Sequence, residues 1–217
     1  MSDPPVLRQA GPLAAIIFGM SLFKNPILII CLFFLNAKGQ TTQYKLLLDT
    51  AIKSKGQLFV YSKPIIKIRL DKKDIRENYD DLKEIWKNVD TTELFQIIEN
   101  IKNIDTTSWT DNELSESILI QDREKDVQLK YAIQKFNLSD KKKLKYYRNQ
   151  INYFNSLSPA DKNIYYYSRP IFDNSKQFAI VQWDNGHSGL GGGSGIAIYK
   201  LTGNTWKNLG IITRWQY

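Results

Sequence analysis

The chain has 217 residues, with 30 Lys and Arg against 22 Asp and Glu, a net charge of +8 at neutral pH. One histidine and one cysteine are too few for a Cys/His metal site or an internal disulfide, so no metal is expected, and no nucleotide-binding spacing calls for a cofactor. The basic excess is interleaved with acids and comes with no RNA-binding aromatic signature or zinc-finger spacing, so nucleic acid is not an expected partner.

Residues 1–39 read as a targeting segment. An apolar run from Ile27 to Leu35 follows Lys24 and ends at Asn36, the length and flanks of a signal-peptide core. Ala37 and Gly39 are the small residues that cleavage needs, and Gln40 would become the new N-terminus. A second apolar patch, Leu13 to Phe18, leaves two readings of the start. Initiation at Met20 makes Met20 to Lys24 a compact basic lead-in. From Met1, residues 13–35 are long enough to cross a bilayer core of roughly 30 Å and would be a retained anchor, although Lys24 interrupts them. Lipid attachment at Cys31 fails, because Ile30 stands where a small residue is wanted. The expectation is export to the periplasm or cell surface, with an inner-membrane anchor through residues 13–35 as the alternative.

Residues 40–217 are expected to form one α+β domain, helix-rich over 40–156 and an antiparallel β-meander over 157–217. "GQLFVYSKPIIKIRL" reads as a strand with an edge or bulge at Pro64. Ile75, Tyr79, Leu82, Trp86 and Val89 then recur at helical spacing. Asp90 with Glu93 is a capping box before a second helix, and Thr110 with Glu113 is the same device before "LSESIL". Leu129, Ile133 and Phe136 mark a short helix; Leu144, Tyr147, Ile151 and Phe154 mark a longer one opened by Ser139. The cation cluster Lys141 to Arg148 falls on that helix, where it reads as a solvated face able to attract anionic envelope material.

The meander should run from Ile164 to Phe172, Gln177 to Trp183, Ile196 to Leu201, Thr205 to Leu209 and Ile211 to Tyr217. Gly203 and Asn204 make a two-residue turn with glycine first, as a type II′ hairpin wants. In the last strand Ile211, Thr213, Trp215 and Tyr217 share one face; Ile212, Arg214 and Gln216 share the other. "YSKPII" at 61–66 echoes "YSRPIF" at 167–172, a resemblance too short to establish a duplication.

"WDNGHSGLGGGSG", residues 183–195, holds half of the 12 glycines and the only histidine. A dinucleotide fingerprint is absent, since Gly189 and Gly191 are followed by Ser194, and Gly191 and Gly193 by Ile196. A nucleophile elbow is absent too, because Leu190 and Ile196 occupy the second position after Ser188 and Ser194. What remains is a long hairpin connection whose backbone amides could cradle a polar or anionic ligand. Its candidate ligand-binding residues are Trp183, Asp184, Asn185, His187, Ser188, Gly191 and Ser194.

The stretch "YYYSRPIFDNSKQFAIVQWDNGHSGLGGGSGIAIYKLTGNTWKNLG" resembles the C-terminal β-unit of a family of small exported bacterial proteins of unassigned function. The shared order is a Ser-x-Pro strand, a turn, an apolar strand, a glycine-rich loop and a hairpin ending in Gly-x-x-Trp. Many relatives carry cysteines in the loop, where this chain has Gly186, His187 and Gly191. The resemblance implies export and a β-meander and brings no catalytic residues. The function expected from the whole sequence is a non-catalytic binding or interaction module of the bacterial envelope, acting through loop 184–195 on an envelope protein or a polar ligand. The alternative is a hydrolase of cell-wall or extracellular material, with His187 as acid or base.

Overall fold

In the computed structural model the described residues are 43–53, 58–77, 85, 87, 89–186 and 192–216. The leader, the helix positions Tyr79, Leu82 and Trp86, and Tyr217 lie outside them. The chain divides into Met1–Thr42 and Gln43–Tyr217, and the elements that follow belong to the second unit. They are α1 (43–51), β1 (Phe59–Tyr61), α2 (Lys72–Glu77), α3 (Thr91–Asn100) with a 3₁₀ turn (Ile101–Asn103), β2 (Ile118–Ile120), α4 (Leu129–Phe136) and α5 (Lys141–Ser156). The meander β3 (Tyr166–Tyr167), β4 (Ile171–Phe172), β5 (Phe178–Asp184), β6 (Gly193–Thr202) and β7 (Thr205–Gln216) follows. The fold is α+β.

Successive side chains of a strand point to opposite faces, so a strand that is apolar throughout needs cover on both sides. β5 and β6 are of that kind. Ala179, Val181, Ala197, Tyr199 and Leu201 pack on one face with Leu47, Leu48 and Ala51 of α1. Phe178, Ile180, Ile196 and Ile198 pack on the other with Ile75 of α2 and Leu94 and Ile97 of α3. The antiparallel ladder runs β3–β5–β6–β7, and β4 pairs with the same edge of β5 as β3. A third cluster joins Ile118 and Ile120 of β2 to Ala132, Ile151 and Phe154 of α4 and α5.

Several expectations hold at residue level. Asp90 accepts from the Thr92 N–H at 2.8 Å and Glu93 from the Asp90 N–H at 3.2 Å, so the capping box of α3 is present. Gly203 has φ +60 between the paired Thr202 and Thr205, as the hairpin turn requires.

Others are corrected. Thr110 and Glu113 make their reciprocal bonds, yet turns follow, and then β2 instead of a helix. The β-branched Ile118 and Ile120 bury themselves by pairing parallel with β1. The strand expected over 56–70 is only three residues long, because Pro64 brings no N–H and Ile66, 63% exposed, has no face to cover. The Ile164 to Phe172 strand divides into β3 and β4 where Arg169 turns inward ahead of Pro170. α5 is capped by Asp140, which accepts from Lys143 N–H at 2.8 Å, not by Ser139. In α4 it is Ala132 that is buried, while Ile133 is exposed.

The two final strands are one. β7 runs through Gly210 (φ +147) with register shifts opposite Ile196/Ala197 and Ile198/Tyr199, which leave Leu209 and Ile212 as extra residues. The bulge turns Ile212 into the core, away from the face expected to carry it with Arg214 and Gln216. The echoing segments lie side by side, with Val60 bridging Tyr165 and Ile65 bridging Ser168 in parallel fashion. That seam joins the β1–β2 pair to the meander.

At the seam sits Arg169, 3% exposed. Its guanidinium donates to both carboxylate oxygens of Glu113, to the Tyr44 hydroxyl at 2.8 Å, to Thr107 O and Oγ1 at 3.1 Å each, and to Ser108 O at 2.8 Å. It also lies 4.1 Å over the Trp109 ring. Arg169→Met is expected to destabilise the protein by about 3 kcal/mol in urea unfolding, since the partners stay behind unpaired. Adding Glu113→Gln should cost less than its single effect predicts. Burial pushes the Glu113 carboxyl up, but bonds from Arg169 and Thr110 outweigh it and hold it below 4.5. A lowered folded value adds stability that is complete above the unfolded one and is lost as pH falls through the folded one. Unfolding free energy should therefore be flat above roughly pH 5 and decline below roughly pH 4, and the decline should be shallower in Arg169→Met.

Candidate binding cleft

The glycine-rich connection leaves β5 and enters β6, and its ends are held by the backbone. Asn185 N–H donates to Gly193 O at 3.0 Å, and Asn185 Oδ1 accepts from Gly193 N–H at 2.5 Å. Asp184 pairs with Ser194 across the ladder and with Tyr166 on its other side. Ser194 is 1% exposed, and Trp183 packs against the α1-side core. A Cβ on Gly195 would stand 2.9 Å from Thr213 O and 3.3 Å from the Trp183 ring, so only glycine lets that ring lie flat on the strand. Of the residues expected to bind ligand, Trp183, Asp184, Asn185 and Ser194 thus serve the hairpin itself. His187, Ser188 and Gly191 lie outside the described residues.

A separate concavity opens beside the parallel β1–β2 pair. It measures about 790 Å³. Its walls come from four places in the chain: Ser62 and Lys63 after β1, Ser108, Trp109 and Asp111, β2 with Gln121 and Asp122, and the approach to α4 from Lys125 to Gln128 with Tyr131. Parallel pairing puts the carboxyl ends of both strands on one side, where residues that leave the strands diverge and leave a crevice. The connection after β2 is pinned to α5, since Asn155 exchanges hydrogen bonds of 2.9 and 3.0 Å with the Val127 backbone. The buried Lys162 holds Arg123 O at 3.1 Å.

The ionisable groups of the cleft are mostly paired. Tyr131 donates to Asp111 at 2.5 Å, and the Lys135 ammonium bonds to the same oxygen. Burial works to raise the Asp111 carboxyl, but the bonds from Lys135 and Tyr131 prevail and hold it below its usual range. Burial and the Asp111 carboxylate push the Tyr131 phenol well above its ordinary value. Asp122 sits 3.9 Å from Lys125, and Asp126 3.8 Å from Lys162. Beside these charged groups and the exposed Lys63, the lining has the neutral side chains of Ser108, Gln121 and Gln128 and the apolar ones of Leu119 and Val127. The indole N–H of Trp109, another lining residue, is buried without a hydrogen-bond partner among the described residues.

No cluster of His, Cys, Asp and Glu suited to a metal occurs among the described residues. None of their helices is long and apolar enough to cross a membrane. No family model matches the chain, and no curated protein or solved structure matches it either.

The sequence pattern did not single out the cleft, whose residues are scattered over seventy positions with no shared motif. The Thr110–Glu113 capping box came nearest, marking the wall segment as structured without indicating its use. For the hairpin, Gly195→Ala is expected to lower stability by about 1–3 kcal/mol, because the backbone carbonyl of Thr213 must yield. Thermal unfolding of the two proteins side by side measures it.

Proposed function

We propose that this chain is a non-catalytic binding module that works outside the cytoplasm and holds a neutral ligand rich in amide and hydroxyl groups in the cleft beside β1 and β2. What supports the reading is that neutral polar side chains, Ser108, Gln121 and Gln128, line one concavity with the apolar Leu119 and Val127 beside the parallel β1–β2 pair. Pockets that recognise polar ligands combine apolar lining with a few placed polar groups. The internal pairing of Asp111 with Lys135 and Tyr131 favours binding over proton transfer. Work outside the cytoplasm rests on the leader pattern of residues 1–39.

Oligomers of N-acetylglucosamine carry this chemistry, an acetamide and several hydroxyls on each unit, and serve as the probe. Calorimetric titration should show binding that Gln121→Ala and Gln128→Ala each weaken roughly tenfold, the worth of one or two hydrogen bonds. Mass spectrometry of the recovered oligomer should find it uncleaved. Absence of binding, or binding that Asn185→Ala abolishes and both glutamine variants leave intact, would overturn the reading, the latter by moving the site to the hairpin end.

A further inference from the structure

The outer surface of α5 is strongly cationic. Sixteen residues, Lys141–Ser156, contain four lysines and one arginine and no acidic residue. Lys142, Lys145, Tyr146, Asn149 and Tyr153 follow the i, i+3, i+4, i+7, i+11 pattern of one helix stripe, opposite the buried Ile151 and Phe154. All of them are exposed, Tyr146 by 55% and Tyr153 by 67%. Among the described residues, none of Lys141, Lys142, Lys143, Lys145 and Arg148 forms an ion pair. The placement is electrostatically adverse, since the positive end of a helix favours carboxylates and here carries three consecutive lysines in its first turn. Asp140 caps this end, but its one carboxylate stands against five cations that form no ion pair among the described residues, which points to a partner that supplies the missing charge.

We infer that the outer face of α5 docks on an anionic lipid surface. The cations are gathered in the first two turns, while Tyr146 and Tyr153 stand on the same stripe two turns apart. A phenol has an apolar body and a polar tip, which suits the headgroup layer beside lysines that reach the phosphates. A helix that tracks a nucleic-acid backbone would spread its cations along its length, and residues 149–156 hold none. The inference is independent of the cleft, which faces β2.

The test is co-sedimentation of the full chain with vesicles of phosphatidylcholine alone and of phosphatidylcholine mixed with phosphatidylglycerol, with a double-stranded DNA oligomer as a third arm. The apolar stretch 27–35 acts on both vesicle types alike, so the readout is the ratio between them. The mixed vesicles should bind more tightly, and each of Lys142→Gln and Lys145→Gln should reduce the ratio roughly fivefold. The same substitutions should leave the melting temperature unchanged or raised, because they remove charge from the positive helix end. Tyr153→Ala should weaken vesicle binding with the charge untouched. Equal binding to both vesicles, a ratio unmoved by the lysine changes, or DNA binding that exceeds vesicle binding at the same salt would each overturn the inference.

Discussion

An arginine taken out of water must bring acceptors with it, and the arrangement of this domain follows from where Arg169 finds them. They lie on α1, on the Thr107–Ser108 backbone and on Glu113. Two stretches far apart in sequence, α1 and residues 107–113, are thereby fixed around the break between β3 and β4. The bond to Tyr44 sets α1 against the meander, whose face it covers with Leu47 and Leu48. The bonds to Glu113 and Ser108 hold the wall segment of the cleft, and they explain why Thr110 and Glu113 form a capping box with no helix behind it. Glu113 answers to Arg169 as well as to Thr110.

Cover on both faces of β5 and β6 limits what the glycine-rich connection can do. Strands buried on both sides cannot slip, since a shift of one residue would exchange their two apolar sets. The register carries through to Asn185 and Gly193, and Gly195 must stay without a side chain so that the Trp183 ring can lie across the ladder. At Gly195 the missing side chain serves close approach of the backbone. The β1–β2 pair differs in being short and parallel, and a short parallel pair at the margin of a sheet leaves a crevice where its chains depart.

Legibility followed the range of the forces. Features set by neighbours in sequence could be read: the Asp90–Glu93 cap, the Gly203–Asn204 turn, the apolar β5 and the extent of α4. What depended on distant partners could not. Ile118 to Ile120 is as compatible with a helix as with a strand until β1 is beside it, and Ile212 changes face only because a bulge is inserted upstream. Nothing in the local pattern around Arg169 distinguishes it from the exposed arginines, since its burial is decided by Glu113 and Tyr44, 56 and 125 positions away. The cleft is least legible of all, being made by four segments spread over residues 62–131 that share no motif.

The hairpin that the sequence emphasised and the cleft that the structure displays are not mechanically separate. Arg123 follows Asp122 in the cleft wall, and its guanidinium donates to Gly186 O at 3.2 Å and to the Tyr166 hydroxyl at 2.9 Å. Its own carbonyl is held by the buried Lys162, whose ammonium lies 5.1 Å from the Phe154 ring centre. A shift of the hairpin base at Gly186 is therefore resisted by a chain of bonds that ends in the core of α5. Displacing it would take from the buried ammonium its carbonyl acceptor and leave it only Asp126 at 3.8 Å, a costly loss for a buried charge. Arg123 and Lys162 thus tie the hairpin base at Gly186 to the cleft wall and to α5.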